Sequence, residues 1–403
     1  MSCNEWKELT LEEIGDIVGG GTPSTKNENY YGDEISWITP KDLSGYTSKY
    51  ISKGERSITK LGLEKSSAKL LPKGTVLFSS RAPIGYVAIA ENELATNQGF
   101  KSIICNPKIA NNQFIYYRMK LAKEELESIA GGSTFKEVSG KVMKEFRISL
   151  PPLEEQEKIA NILSSLDDKI ELNNEMNKTL EEMAQSIFKR WFFDFEFPNE
   201  DGEPYKSSGG EMVDSELGMI PKGWEVCKFS DISEIHDSKR IPLSKREREK
   251  RENIYPYYGA ASLMDYVDDY IFDGEYILMG EDGTVVDENG YPILQYVWGK
   301  FWVNNHAHVL TGKEQFSNHY LYLLLKNTNV SHIVTGAVQP KINQKNLNSL
   351  KFIIPDTKLL NKFNSLVKYK FEIIKNLSEE NLNLMELRDT LLPKLMSGEI
   401  SLK

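Results

Sequence analysis

His306 and His308 alternate along the run Val303-Asn304-Asn305-His306-Ala307-His308-Val309, so on a strand they would share one face. Two imidazoles so placed could hold a metal ion, but no third ligand is evident nearby, and a structural or nucleic-acid-facing role competes. Gly19-Gly20-Gly21 lacks the spaced Gly-x-Gly-x-x-Gly of a dinucleotide site, and no Gly-x-x-x-x-Gly-Lys-Ser/Thr loop for a nucleotide triphosphate occurs. A base-flipping amino-methyltransferase needs a polar residue before a Pro-Pro pair and an aromatic after it. The one such pair, Pro151-Pro152, lies between Leu150 and Leu153. Glu5-Trp6-Lys7 ends like a nuclease motif, with no acid preceding it at useful spacing. Cys3, Cys105 and Cys227 are far apart, which suggests neither a disulfide framework nor a zinc knuckle and fits a reducing cytoplasm. These residues therefore give no expected catalytic, cofactor-binding or metal site.

Recognition chemistry is better represented. The net charge is −10, yet the interval Lys41 to Arg81 holds nine basic residues against three acids. Lys239 to Arg251 holds seven basic residues against Glu247 and Glu249. Local patches of this kind attract phosphate even on an acidic chain, although a solvated surface face has the same composition.

The elements that must position these residues are duplicated. Trp6, Leu11, Glu13, Ile14, Asp16 and Ile17 recur as Trp224, Phe229, Asp231, Ile232, Glu234 and Ile235, at a constant separation of 218. At a separation of 204, Gly132 matches Gly336, Val138 matches Ile342, Lys141 matches Lys345 and Pro151 matches Pro355. The same offset continues through Ile170 and Ile374, Leu180 and Leu384, Met183 and Leu387, and Ile187 and Leu391. The interiors of the two copies align poorly.

Each copy ends in an expected long helix. Pro151 and Pro152 open the first, with Glu154 and Glu155 where the helix dipole favours acids. Ile159, Leu166, Leu180 and Ile187 fall on one heptad register, broken by Asn173; Ile162, Met176 and Met183 fall on the companion register, broken by Lys169. The second helix repeats the pattern with Phe363, Leu377, Leu384 and Leu391 beside Leu366, Ile373 and Leu387, with a break at Lys370. Such a seam wants a partner helix, and the other copy is the nearest; Pro393 is expected to break the second helix near its end and Gly398 to mark its close. An antiparallel pair of helices, each of about 40 residues and so roughly 60 Å long, would hold two globular units apart.

Short apolar runs bounded by Gly and Pro fill those units. Thr75–Phe78, Tyr86–Ile89, Tyr276–Met279, Ile293–Val297 and His308–Leu310 read as strands, and Gln113–Glu127 and His319–Lys326 as helices. The expected fold is α+β, with a pseudo-twofold internal repeat. Its expected division is a first globular domain at 1–150, a first long helix at 151–195 and a linker at 196–222. A second globular domain at 223–355 and a second long helix with a tail at 356–403 complete it. No stretch reaches 18 apolar residues, and the N-terminus does not read as a secretory signal.

Several runs resemble one family. Gly20-Gly21-Thr22-Pro23-Ser24, Trp37-Ile38-Thr39-Pro40-Lys41-Asp42-Leu43, Ser79-Ser80-Arg81-Ala82-Pro83-Ile84-Gly85 and Ala95-Thr96-Asn97-Gln98-Gly99 look like a target-recognition domain of type I restriction–modification specificity subunits. Tyr255-Pro256-Tyr257-Tyr258-Gly259-Ala260, Gly280-Glu281-Asp282-Gly283 and the run around His306 are similar to another version of that domain. Leu150-Pro151-Pro152-Leu153-Glu154-Glu155-Gln156 resembles the family's entry into its conserved helix. The resemblance implies a non-catalytic subunit in which each domain binds one half of a bipartite DNA target. It implies two methyltransferase subunits as partners, with S-adenosylmethionine on them, and restriction motor-nuclease subunits using ATP and Mg. A divergent stand-alone methyltransferase or nuclease, and a purely scaffolding protein, are the alternatives.

On that reading Arg81 could bond guanine, contact phosphate or form a structural ion pair, and Asn97 and Gln98 could pair with adenine or cap turns. Thr22, Ser24 and Lys41 are further phosphate or base candidates. In the second unit the candidates are Lys239, Arg240, Tyr258, Gln339 and Lys341, with a core position as the alternative for Tyr258. Ile159, Leu166, Leu180, Ile187, Leu377, Leu384 and Leu391 are the expected helix-pair contacts.

Overall fold

The computed structural model describes residues 6–132, 136–336 and 338–402. Cys3 and Glu5 lie outside the described residues. The chain divides into two compact units, the first formed by 1–175 with 378–403 and the second by 176–377. Both long helices form, as Leu153–Phe192 and Thr357–Met396, and each gives one part to each unit.

In the first unit a five-stranded sheet runs Gly15–Gly19, Lys101–Cys105, Val76–Ser80, Ile84–Ala90, Tyr50–Ile51. A smaller sheet joins Arg56–Ile58, Tyr31–Ile38 and Ala95–Thr96. The strand Val76–Ser80 is buried throughout, so it reads as an apolar run instead of alternating. The helical stretch at 113–127 is divided into Asn112–Leu121 and Lys123–Ile129; Asn111 caps the first, its Oδ1 accepting from Gln113 N and Phe114 N. Its Phe114, Tyr117 and Met119 pack in one core with Ile159 and Leu163 of the first long helix and Leu392 and Leu395 of the second.

The second unit repeats the plan. One four-stranded sheet runs Ser233–Ile235, Ala307–Gly312, Tyr276–Gly280, Leu294–Val297, and a second, also four-stranded, runs Leu263–Val267, Tyr255–Tyr258, Lys300–Val303, Phe272–Asp273. Lys7 pairs with Leu150 in the first unit and Glu225 with Ile354 in the second, so one strand pair carries both sequence offsets, 218 and 204. The core gathers Phe188, Phe192, Phe363, Phe371 and Tyr320, with ring centroids of Phe188 and Phe363 5.6 Å apart. The segment expected as a linker includes the hairpin of Met212–Ser215 and Gly218–Pro221 and packs through Phe197, stacked on Tyr205 and Trp224.

The helices run antiparallel. Arg388 donates to Asp167 at 2.8 Å in the first unit, and Phe363 meets Phe188 in the second. Asn173 is fully buried, and its Nδ2 donates to Asn381 Oδ1 and Glu380 Oε2, each at 2.8 Å. Of the expected seam residues, Ile159 is buried and Leu166, Leu180, Ile187, Leu377, Leu384 and Leu391 are half-buried.

The companion register is corrected. Ile162, Met176, Met183, Leu366, Ile373 and Leu387 are exposed, by 36 to 48 %. The buried positions are instead Leu163, Ala184, Phe188, Val367, Phe371 and Leu392. A 3.6-residue helix drifts about 20° per heptad, so a strict seven-residue count leaves the contact face within a few turns. Pro393 does not end its helix either: the chain stays helical to Met396, and Ser397 N donates to the Pro393 carbonyl at 3.0 Å. A proline in the last turn loses only its own N–H bond, and the left-handed Gly398, at φ +74°, marks the close. Among the described residues no helix is long and apolar enough to cross a membrane.

Candidate nucleic-acid interface

In the first unit four of the candidates, Thr22, Arg81, Asn97 and Gln98, gather where Val76–Ser80 ends. Thr22 hydrogen-bonds Gln98 through its hydroxyl, and Asn97 Oδ1 accepts from Gly99 N at 2.8 Å. The two loops touch: Gly21 N donates to Thr96 O at 2.9 Å, and a Cβ on Gly20 would stand 1.9 Å from Asn97 O, so only glycine fits there. Ser80 N donates to Gly99 O at 2.7 Å, which joins this pair of loops to the turn carrying Arg81. Arg81 is followed by Ala82 at φ +52°, a left-handed conformation that a non-glycine residue adopts at some cost. Its guanidinium meets Glu137 at 3.3 Å, and Lys101 meets the same carboxylate at 3.3 Å. Ser24 and Lys41 are exposed, Lys41 pairing with Glu55 at 2.7 Å. Of the first basic run, Lys49 is buried against Asp168 at 2.8 Å and so is not available to a ligand.

In the second unit Gln339, Lys341 and Lys239 are exposed. Gly283 N donates to Pro340 O at 3.0 Å, and Asp282 bridges to Lys341, so the turn after Tyr276–Gly280 lies against the loop bearing Gln339. That loop is closed by mutual bonds of Thr335 and Lys341 and turns at Gly336, φ +88°. Tyr258 is half-buried, its ring against Phe301, and burial raises its hydroxyl pKa; its carbonyl accepts from Asn304 N at 3.0 Å.

Arg240 is placed otherwise than expected. Its side chain is 11 % exposed and donates to Glu281 and the Ala307 carbonyl, each at 2.6 Å, and to the Asp237 carbonyl at 3.0 Å. A guanidinium committed in this way holds the fold and offers little to a duplex.

The two histidines do not share a face. His306 precedes the strand, is 47 % exposed and bonds Asp282, whereas His308 is fully buried. A third ligand type, not evident in the sequence, does lie beside His308: atoms of Asp237, Glu281 and His308 fall within 4.8 Å of one another. Their donors and acceptors are already engaged. His308 bonds Asp237 at 2.6 Å and the Ile342 carbonyl at 2.8 Å. Asp237 also accepts from Val309 N at 2.9 Å and from Gln344 at 2.6 Å. Arg240 and Lys341 put two positive charges on Glu281, at 2.6 and 3.1 Å. This set is a buried ion-pair network whose charge is met within the chain. Burial alone would raise the Asp237 pKa, but the bonds from His308, Val309 and Gln344 outweigh it and hold the carboxyl below its ordinary value.

Glu137, Lys101, Asp237 and Glu281 were not singled out in the sequence. A signal existed, because the 204 offset that matches Val138 to Ile342 also sets Glu137 against Lys341.

Comparison with known proteins accounts for this architecture. Residues 4–182 and 221–381 match the family model of the type I restriction modification DNA specificity domain. The chain is 37 % identical to the type I restriction enzyme MjaIX specificity subunit of Methanocaldococcus jannaschii, over 98 % of this chain and 94 % of that protein. It is 24 % identical to the type I restriction enzyme HindI specificity subunit of Haemophilus influenzae, over 98 % of this chain and all of that protein. The fold is that of the crystallised S subunit of a type I restriction-modification system from M. genitalium, with a TM-score of 0.59 at 18 % identity over 98 % of this chain and 97 % of that one. The chain belongs to the type I restriction-modification specificity family, as the specificity subunit of such an enzyme.

Proposed function

We propose that each unit reads one half of a bipartite DNA target and that the chain contributes no catalytic group of its own. The observation that carries this reading is the repetition of one loop cluster. In the first unit the end of the buried strand Val76–Ser80 and the turn after it meet Glu137 and Val138, in the second the turn after Tyr276–Gly280 meets Pro340 and Lys341, and polar residues differ between the two copies. A shared frame with divergent polar tips suits two readers of different sequences. Phosphates are held by the exposed lysines, and base edges are read by Arg81, Asn97 and Gln98 in one unit and by Gln339 and Lys341 in the other.

The exposed apolar side chains of the two long helices, Ile162 and Leu387 in the first unit and Met176, Met183, Leu366 and Ile373 in the second, are assigned to contacts with two methyltransferase subunits. S-adenosylmethionine belongs to those partners, and ATP and Mg to the restriction motor-nuclease subunits, all in the cytoplasm. Co-expression with the methyltransferase subunit followed by methylome sequencing tests the reading. A single bipartite motif with a fixed spacer is expected; methylation without sequence preference would refute it.

A further inference from the structure

Beside the candidate loops, both units follow one hydrogen-bond plan. Asn97 Oδ1 accepts from Gly99 N, and Asn304 Oδ1 accepts from His306 N, each at 2.8 Å. Gly99 O accepts from Ser80 N at 2.7 Å, and His306 O from Glu281 N at 2.8 Å. Ser80 O accepts from Val138 N at 2.9 Å, and Glu281 O from Ile342 N at 2.8 Å. Two residues beyond Gly99 stands Lys101, and two beyond His306 stands His308. One place in the plan therefore holds a lysine in the first unit and a histidine in the second. Lys101 reaches the Glu137 carboxylate at 3.3 Å, next to Val138, and His308 reaches the Ile342 carbonyl at 2.8 Å. Each ties the segment that follows Gly132 or Gly336 to its sheet.

The surroundings of His308 call for a charge there too. The ring is fully buried, with Nδ1 2.6 Å from Asp237 Oδ2 and Nε2 2.8 Å from the Ile342 carbonyl. The Asp237 carboxyl, held below its ordinary value by its bonds, only accepts, and a carbonyl oxygen has no proton to give. Both ring nitrogens therefore carry hydrogen. A neutral ring would set a lone pair against one of the two oxygens, out of reach of water. Charge gives the same answer. The side chains of Asp237, Glu281 and Arg240 are 3, 13 and 11 % exposed. With an imidazolium these buried groups are two anions and two cations; with a neutral ring one buried anion is left over, which is costly. Lys341 also meets Glu281, at 3.1 Å, but is 46 % exposed, so solvent screens its charge. The charged groups facing the ring are Asp237 and Glu281, at 2.6 and 3.7 Å, with Arg240 and Lys341 on those carboxylates and the neutral Gln344 donating to Asp237.

We propose that His308 is a positioning residue of the second unit, kept as an imidazolium, whose hydrogen bonds hold the segment Gln339–Ile342 in place for the second half-site. This rests on the half-site reading above. The ordered segment binds the proton, so its order is favoured at lower pH and lost as pH rises. A lysine keeps its charge far into the alkaline range and a histidine does not. Alkaline pH therefore loosens the second reader and spares the first.

Two measurements test this. The ring nitrogens of the five histidines are observed by NMR in the full chain, deuterated and labelled at histidine nitrogen, at about pH 7. Replacing His236, His306, His319 and His332 singly with Gln assigns His308 by elimination. Both of its nitrogens should carry hydrogen; one bare nitrogen would overturn the proposal. In the second measurement the full chain with its methyltransferase subunit methylates a DNA library randomised at both half-sites, over about pH 7 to 9. Preference at the second half-site should fall about tenfold more than at the first, the weight of one charged hydrogen bond. His306→Gln, which removes the neighbouring exposed imidazole, should respond in the same way. Equal retention or equal loss at both half-sites would overturn the positioning role, and so would a response that vanishes in His306→Gln. Failure of the underlying reading looks different: no bipartite target would appear at any pH, whatever the ring nitrogens carry.

Discussion

Replacing the buried asparagine layer of the helix pair should raise stability. Asn173 is fully buried, its Nδ2 is used twice, and its Oδ1 has no hydrogen-bond partner. A buried unmatched polar atom costs about 1–3 kcal/mol. The repeat holds Leu377 at the equivalent position, so the helix frame accepts an apolar side chain there. Asn173→Leu removes the unmatched oxygen and buries a leucine, worth roughly 1.5–3 kcal/mol. It also strips Asn381 Oδ1 of its donor, which costs about 1–3 kcal/mol. The single variant should thus lie within about 2 kcal/mol of the parent. Asn173→Leu with Asn381→Leu removes that liability and, after some overpacking strain, should gain about 2 kcal/mol. For a unit of about 200 residues that is a rise of roughly 4–8 °C in thermal midpoint. Calorimetry of the parent, the single variant and the double variant measures it. A fall in the midpoint of the double variant would show that the asparagine layer is a net stabiliser and refute the reasoning.

Phe188→Ala should destabilise the second unit by about 4 kcal/mol, because its fully buried ring contacts Phe192, Tyr320 and Phe363. Denaturant unfolding would show it, and a loss below about 1 kcal/mol would be inconsistent with that packing. Met183→Ser with Leu387→Ser should leave the thermal midpoint unchanged while reducing co-purification with the methyltransferase subunit; unaltered capture would remove these side chains from that role. Asp237, held below its ordinary value of 3.8, contributes stability that is present above that value and lost as pH falls through its lowered folded value. Acid titration of unfolding should therefore be flatter below about pH 4 in Asp237→Asn, on a lower plateau at neutral pH. Identical slopes would deny the network that role.

The duplication, both long helices and the strands around Val76–Ser80 and Tyr276–Gly280 were legible because each rests on local pattern or on a constant offset. The face of each helix was not. Apolar residues lie on more than one side of both helices, and a heptad count cannot tell Met183, exposed, from Phe188, buried. The fate of individual cations was also hidden. Lys49, Arg81 and Arg240 look alike in a basic run, yet one is buried on Asp168, one meets Glu137 at the surface and one is enclosed by Glu281 and backbone carbonyls. Those partners lie 41 to 119 residues away along the chain, beyond the reach of composition. The packing of the segment 196–222 was hidden for a related reason: Phe197 stacks on Tyr205 and on Trp224, which lie 8 and 27 residues further along the chain.

The most direct measurement is a methylome of cells expressing this chain with its methyltransferase subunit, repeated with the loop segments around Arg81 and around Gln339 exchanged one at a time for alanine. Each exchange is predicted to relax one half of a two-part motif and leave the other half and the spacer as they were. Loss or retention of both halves together would contradict the assignment of one half-site to each unit.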